Sequence, residues 1–306
     1  MKRSSTRTLT CLLSLVLVIC LVACGNSSDS GTVASPSESP PEANVPESPT
    51  EKKSGEAEDN SLQRVLDSGV LRIGTEGNYI PFVYNDPDTN ELVGEAVEVA
   101  EEVARRLGVK TEWSVANKWD GVLAGLDANR YDMVFCSCNP KQYSTAGKYG
   151  FTIPYTHVNH CLVVAGDNTE INSFEDLNGK VCGNALTSTA GAIAQKFGAE
   201  CRNTSLAEAA EMISTGRIDA MVNKEISMNQ FLESRPDLNL RIAAIYEPED
   251  LRDLEAAGAA MQDSESLLNR VSGVIQEMLD DGTVLDIDTK YFGEEIATKL
   301  PIHNAK

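Results

Sequence analysis

Two alternating patterns of apolar and polar residues run along the chain from about residue 62 to its end. Short runs rich in β-branched residues alternate with longer segments whose apolar residues recur every three or four positions, which are the periods of strands and helices. The short runs predict strands over 70–74, 111–115, 133–136, 160–164, 181–183 and 219–222, with another at 200. The longer segments predict helices over 95–107, 120–126, 189–197, 206–215 and 266–279. Repeated β-α units of this length predict an α/β fold whose mostly parallel sheets are flanked by helices.

The start of the chain carries a different pattern, that of a secretory signal. Basic residues precede an apolar run over 9–22, which is shorter than the roughly 20 residues that a membrane-spanning helix needs. The run ends at 21–24 (LVAC), which resembles a bacterial lipobox, where the cysteine is lipidated and becomes the first residue of the mature protein. We therefore expect a signal peptide over 1–23 and an extracytoplasmic protein anchored by lipid at Cys24. The alternative is ordinary secretion with Cys24 discarded or left free.

The segment after Cys24 is mainly Ser, Pro, Glu, Gly and Ala, without an aromatic side chain up to residue 60. Such a segment cannot bury enough apolar surface to offset the entropy lost on ordering, so we expect it to be disordered. We interpret 24–60 as a tether that holds the folded body away from the membrane. A spacer of no particular length is an equally good interpretation.

Charge and cysteine content limit the classes of partner. The chain has 46 acidic and 26 basic residues, a net charge of −20, and no basic stripe, so nucleic acid is not an expected partner. Cys136 and Cys138 are separated by one residue, whereas zinc and redox motifs use two, so we expect buried thiols and no metal. Cys182 and Cys201 lie in predicted strands on either side of one helix. A disulfide between them requires that those strands be neighbours, which the sequence leaves undecided.

Six groups of short motifs occur in a fixed order. They are 74–82 (GTEGNYIPF), 119–127 (WDG then AGLD), 151–155 (FTIPY), 176–180 (DLNGK), 216–220 (GRIDA), and 281–283 with 290–293 (DGT, KYFG). In this order the motifs resemble the bacterial extracellular solute-binding proteins of family 3, the amino-acid receptors of ABC importers. Residues 186–188 and 196–200 look closest to the cystine-type subgroup.

That resemblance implies a two-lobe fold like that of type II periplasmic binding proteins. Lobe 1 would comprise 62–156 plus 247–306 and lobe 2 would comprise 157–246, with two crossing strands near 156–158 and 244–246. The ligand would lie in the cleft beyond the carboxyl ends of the strands, and its contacts with both lobes would favour closure of the hinge.

The resemblance also indicates where the ligand would bind. It implies an acidic contact at Glu76 and aromatic contacts at Tyr79 and Trp119, for which ordinary packing is the alternative. The loop after the third strand, which begins at Asn139, would add a contact.

A predicted helix start supplies further candidates. Thr187, Ser188 and Thr189 carry hydroxyl groups there, and the free N–H groups of a helix start bind anions. A plain N-cap is the alternative.

Two positions depart from the family. Its members hold the ligand carboxylate with an arginine after the third strand, but no arginine lies between Arg130 and Arg202. An aspartate usually holds the ligand ammonium, whereas the aligned residue here is Lys224, at the start of a predicted helix; a slip of one residue would make Glu225 the acid. We therefore expect Lys224 and the helix start at 187–189 to hold a ligand carboxylate, and Glu76 to receive an ammonium where there is one.

These features together predict a membrane-anchored substrate-binding protein of an ABC importer, which captures an amino acid or a related small polar carboxylated solute. We expect a monomer that needs no cofactor and whose protein partner is the membrane permease. A ligand sensor of a signalling system is an alternative that the sequence does not separate. A dehydratase-type enzyme is a weaker alternative: it would need a general acid or base in the cleft, the only histidines before the C-terminal tail are His157 and His160 by the predicted crossing, and no catalytic motif is visible.

Overall fold

The computed structural model describes residues 59–144 and 147–304. The predicted signal peptide, Cys24 and the tether up to residue 58 lie outside the described residues. Within the described ranges, no helix has both the length and the apolar character that crossing a bilayer requires.

The described helices follow the predicted spacing closely. The helix expected over 95–107 begins at Glu95 and ends at Leu107, where Gly108 with φ 77° forms a left-handed C-cap. The helices are α1 (Ser61–Ser68), α2 (Glu95–Leu107), α3 (Trp119–Asp127), α4 (Pro140–Ser144), α5 (Thr189–Lys196), α6 (Leu206–Ser214), α7 (Glu225–Ser234), α8 (Glu265–Asp280), α9 (Thr283–Phe292), α10 (Glu294–Ala297) and α11 (Pro301–Asn304). Short 3₁₀ turns cover Phe174–Leu177, Pro236–Leu238 and Leu251–Leu254.

The strands form two main sheets and one small sheet. They are β1 (Val70–Glu76), β2 (Asn78–Tyr79), β3 (Val83–Asn85), β4 (Leu92–Val93), β5 (Lys110–Ala116), β6 (Met133–Cys138), β7 (Tyr149–Phe151), β8 (Thr156–His157), β9 (His160–Ala165), β10 (Val181–Gly183), β11 (Glu200–Arg202), β12 (Ala220–Lys224), β13 (Leu240–Ile245) and β14 (Glu255–Met261). The small sheet has the order β2-β3-β4.

The first sheet has the order β5-β1-β6-β14-β7, and β8 also pairs with β14. The second has the order β11-β10-β12-β9-β13. In each sheet one strand runs antiparallel to its neighbours: β14 in the first and β9 in the second. These are the first strands after the chain crosses from one sheet to the other. The α/β fold with mostly parallel sheets is therefore confirmed, and the antiparallel strands mark the two crossings.

Both faces of the second sheet are covered by apolar clusters, as expected for a buried, mostly parallel sheet. Leu162 and Val164 of β9 point to the cluster that contains Ile193 of α5. Val163, between them, points to the cluster that contains Ile213 of α6. Alternate side chains of one strand thus anchor helices on opposite faces.

The cysteine strands β10 and β11 are neighbours, and Cys182 lies directly across from Cys201. The adjacency that a disulfide needs is present, but both thiols are free, as are those of Cys136, Cys138 and Cys161.

Strand β6 contains a bulge. Val134 pairs with Ala259 and Cys138 with Ala257, so β6 spans more residues than β14 over the same ladder. Within the bulge Ser137 has φ 52°, in the left-handed region that residues other than glycine rarely adopt. The bulge redirects the backbone just where β6 meets the second sheet.

Candidate functional site

A cavity of about 120 Å³ lies where strand ends from the two sheets meet. Glu76 and Cys138 line it at the carboxyl ends of β1 and β6, and Gly183 and Lys224 line it at the ends of β10 and β12. One buried water needs about 10–15 Å³, so the cavity accommodates several waters or a small solute. This is the position where open α/β sheets bind ligands.

Most of the predicted ligand-binding residues come together here. Ser188 is the N-cap of α5, and its hydroxyl oxygen accepts a hydrogen bond of 3.0 Å from the N–H of Gly191. The predicted residues on the cavity wall are Glu76, Tyr79, Trp119, Ser188, Thr189 and Lys224.

Asn139 and Thr187 do not lie on that wall. The amide nitrogen of Asn139 donates to the carbonyl oxygens of Arg252 and Glu255 at 2.9 and 3.0 Å. The hydroxyl of Thr187 donates to the carboxylate of Asp120. Both side chains therefore bind protein groups. Asn139 ties the segment after β6 to the residues where β14 begins, and Thr187 joins the two halves of the molecule, the first half being built on the first sheet and the second on the second sheet.

Lys224 is the last residue of β12 and the N-cap of α7, not part of the first helical turn. It is only 7% exposed, and its ammonium donates to the carbonyl oxygen of Ser137 at 3.2 Å. The rings of Phe82 and Tyr79 lie 4.3 and 5.3 Å from Nζ, within range of cation–π attraction. Burial lowers the pKa of Lys224 to about 8. Glu225, the alternative acid, instead accepts from the amide of Asn159 at 3.3 Å and does not line the cavity.

Ser137, which the sequence did not single out, organises the first-sheet side of the site. Its backbone N–H donates to the phenolic oxygen of Tyr155 at 3.1 Å, while its carbonyl accepts from Lys224. The positive φ angle lets the carbonyl oxygen meet the second sheet. Glycine or asparagine would have signalled this conformation in the sequence, whereas serine rarely adopts it, so it was not predicted.

Several polar atoms on the wall are buried and have no partner among the described residues. They are Trp119 Nε1, Ser137 Oγ, His160 Nδ1 and Thr204 Oγ1. A buried polar atom without a hydrogen bond costs about 1–3 kcal/mol. A polar solute in the cavity would satisfy such atoms.

Burial shifts the titration of the groups on the wall. It raises the pKa of Glu76 to about 7; Lys224 opposes this shift and Asp120 adds to it. It lowers the pKa of His160 to about 3, so the imidazole is neutral. It raises the pKa of the Cys136 thiol to about 12, which keeps that sulfur protonated and unreactive.

Polar contacts join the two halves around the cavity. Asp120 of α3 accepts from Thr187 and also from the amide of Asn203 at 2.7 Å. Tyr143 and Tyr79 donate from the first half to the second, to the carbonyl oxygen of Thr187 at 2.5 Å and to the side-chain oxygen of Asn223 at 2.8 Å. At the rim Lys118 and Glu208 form an ion pair of 3.0 Å. These contacts therefore bridge the two sides of the cavity.

A second buried polar cluster adjoins this wall. Glu95, whose N–H donates to the Pro81 carbonyl at 3.0 Å, is fully buried, and neither of its carboxylate oxygens has a partner in the described structure. Asp288, also fully buried, shares a hydrogen bond of 2.7 Å with Nε2 of His303 and accepts one of 3.3 Å from Thr156. Burial raises the pKa of both carboxyls well above the ordinary value. The charge of the nearby Asp288 raises the pKa of Glu95 further.

Residues 71–294 match the family model for the bacterial extracellular solute-binding proteins, family 3. The chain belongs to this family. The expected resemblance is thus confirmed, and the matched range contains every residue placed on the cavity wall.

Relatives of this family-3 chain include proteins named for amino acids. The L-cystine-binding protein TcyA of Bacillus subtilis (strain 168) is 35% identical over 231 residues, which is 75% of this chain and 83% of that protein. A probable amino-acid ABC transporter-binding protein of Haemophilus influenzae is 33% identical over 234 residues, 76% of this chain and 88% of that one. An ancestral arginine-binding protein bound to arginine has a TM-score of 0.64 and 28% identity, covering 74% of this chain and 99% of its own.

Among the residues that the structure describes, no three His, Cys, Asp or Glu side chains are grouped so as to hold a metal ion.

Proposed function

We propose that this chain is the substrate-binding protein of an ABC importer and that it captures an amino acid or a related small carboxylated solute. The observation that carries the proposal is the cavity, where strand ends of two sheets meet and buried polar atoms lack partners. Membership of family 3 and relatives named for amino-acid transport support it.

A thermal-shift screen of amino acids and small carboxylates, followed by calorimetric titration, tests this function. A solute that binds only the folded state stabilises it by RT ln(1 + [L]/Kd). Saturable one-to-one binding is the expected result. The absence of binding by every compound, with the chain folded, would contradict the proposal.

The proposed mechanism is hinge closure between two lobes, 62–156 plus 247–306 and 157–246, with hinge segments near 156–158 and 244–246. Separation of the lobes would break the contacts of Asp120 and Tyr143 with the second half, and solute that contacts both lobes would favour the closed state. Small-angle scattering should show a smaller radius of gyration at saturating solute. An unchanged envelope would argue against closure.

Within the cavity we assign the solute carboxylate to Lys224 and to the start of α5 at Thr189. Ser188 supports that start as the N-cap, its own hydroxyl proton being donated to the Ala185 carbonyl. Lys224 supplies a buried positive charge, and the start of α5 supplies N–H groups without helical acceptors. Tyr79 and Trp119 form aromatic walls.

The remaining predicted residues take other roles in this proposal. Glu76 faces any ammonium that the solute carries. Thr187 acts on closure through its bond to Asp120, and Asn139 acts through the backbone that it holds.

The family is extracellular, and we propose that a lipid at Cys24 holds this member on the membrane beside its permease, as a monomer. The sequence at 21–24 carries this proposal. Cys24→Ala should release the protein from membranes or leave an uncleaved precursor. Unchanged processing and membrane association would refute the anchor.

We also propose that the site binds without catalysis. The relatives described above are named as binding proteins, and His160, the histidine on the cavity wall, is neutral. Recovery of bound solute unchanged after prolonged incubation, followed by NMR, is the expected result.

A further inference from the structure

Lys224 places a cation in the cavity wall. An ammonium has three N–H donors, and among the described residues Nζ makes one hydrogen bond, to the Ser137 carbonyl. Phe82 and Tyr79 present ring faces that stabilise the positive charge but do not neutralise it. The group therefore retains hydrogen-bonding capacity for an anion in the cavity.

The cavity wall offers a single carboxyl group within the described residues, that of Glu76. The nearby acids are already engaged: Asp120 binds Thr187 and Asn203, and Glu208 binds Lys118. Glu76 also lies within electrostatic reach of Lys224, which lowers its pKa against the effect of burial. The wall thus holds two lysines, Lys118, which is paired with Glu208, and Lys224, and one acid, Glu76, which already interacts with Lys224.

The other vacant groups favour acceptors on the solute. The indole N–H of Trp119 can only donate, and it has no partner in the described structure. The hydroxyls of Ser137 and Thr204, also without partners, can donate as well. Thr189 and Ala190 begin α5 on the cavity wall, and the N–H groups of a first helical turn lack helical acceptors. Every one of these groups can therefore donate to the solute, whereas the hydroxyls and the neutral imidazole of His160 are the ones that can also accept.

From this arrangement we infer that the solute is a carboxylate without a free α-ammonium, such as a 2-hydroxy or 2-oxo acid, and not a zwitterionic amino acid. The inference rests on the proposed function and specifies its solute. The carboxylate binds Lys224 and the start of α5. A hydroxyl at position 2 donates to Glu76, and an oxo group there accepts from the donors of Trp119, Ser137 or Thr204. A zwitterion would add a second ammonium to a small, partly dehydrated cavity, where it would be repelled by Lys224.

Sets of compounds that share a side chain test this inference. The purified full chain, unfolded and refolded to remove co-purified solute, is titrated calorimetrically with an amino acid, its 2-hydroxy acid and its 2-oxo acid, for the alanine, leucine, methionine, phenylalanine and glutamate side chains. In the set that binds, we expect an ammonium-free member to bind at least about tenfold more tightly than the amino acid. If the amino acid binds equally or more tightly, the inference is wrong while the proposed function stands. If nothing binds, both fail.

Variants of Lys224 provide an independent test. Lys224→Gln should weaken binding of the ammonium-free acid by about tenfold or more, and Lys224→Glu should shift preference towards the amino acid. Lys180→Gln is the matched control, since Lys180 pairs with Glu170 away from the cavity. Circular dichroism establishes that each variant is folded. Equal affinities in wild type and Lys224→Gln would overturn the inference, and so would a Lys224→Glu variant with unchanged preference.

Discussion

The phenolic oxygen of Tyr155 accepts a hydrogen bond of 3.1 Å from the backbone N–H of Ser137, and both residues are buried. The bond supports Ser137 in its left-handed conformation and so directs the Ser137 carbonyl to Lys224. Tyr155, which does not line the cavity, thus positions a group on its wall.

Tyr155→Phe should leave the Ser137 N–H buried without a partner. The free energy of unfolding is expected to fall by about 1–3 kcal/mol, the usual cost of such a group, and solute affinity should fall with it. Urea unfolding and calorimetric titration measure the two effects. Tyr84→Phe, at a half-buried tyrosine outside the cavity, is the control and should change neither. Full stability and affinity in Tyr155→Phe would mean that the bulge holds Ser137 unaided.

Solute binding should weaken as the pH rises from 6 to 9. Lys224, with a pKa of about 8, loses its charge over this range, and Glu76, with a pKa of about 7, gains one. Both changes disfavour a bound carboxylate; His160 stays neutral throughout, since its pKa is about 3. Above pH 8 the loss should approach tenfold per pH unit for the single proton on Lys224. Calorimetric titration of wild type and Lys224→Gln tests this, because the steep part should vanish in the variant.

Glu95→Gln should make stability less dependent on pH. Because the pKa of Glu95 is raised in the folded state, the folded chain keeps a proton that the unfolded chain has released above its usual pKa of about 4.3. Stability from this group therefore falls as the pH rises above that value. Urea unfolding at pH 5 and pH 8 should show a smaller decrease in Glu95→Gln than in wild type. The exposed Glu249→Gln is the control. An equal decrease in both variants would mean that Glu95 ionises freely.

Asp120→Ala should loosen the closed state. The substitution removes the acceptor for both Thr187 and Asn203, which lie on the opposite side of the cavity. Without solute, the radius of gyration should be larger than in wild type, and solute should bind with a more negative heat-capacity change because more surface is buried on closure. Asp127→Ala, whose carboxylate binds Lys148 and Tyr149 within the first half, is the matched control. Identical scattering for Asp120→Ala and wild type would assign closure to other contacts.

The elements with a regular apolar spacing or a marked end were predicted from the sequence. The spacing of Val99 and Val103, with Gly108 behind them, defines α2 in the sequence as it does in the structure. β14 escaped prediction because its residues, Glu255–Met261, are mainly alanine with no β-branched side chain. Its strand conformation comes from pairing with β6, more than one hundred residues earlier in the chain.

The sequence likewise predicted part of the site: the residues on its wall, but not the contacts between the two sheets. Glu76, Tyr79 and Trp119 follow or begin elements visible in the sequence, and they line the cavity. The burial of Lys224 and its bond to Ser137 were not predictable, because both depend on how the two sheets close on each other. Thr187 was assigned to the solute from its place at a helix start, whereas its hydroxyl is taken by Asp120.

The place of β14 also constrains the order in which the molecule can be assembled. The second sheet has all its strands once residue 245 has been synthesised, but the first sheet lacks an interior strand until residue 261. Until then, the β6 edge that β14 will cover has unpaired N–H and C=O groups and remains a template for wrong pairing. The pairing of β14 with β6 joins segments that are far apart along the chain, and such pairing forms slowly. The half of the molecule that contains both ends of the folded chain is therefore the last to become safe from aggregation.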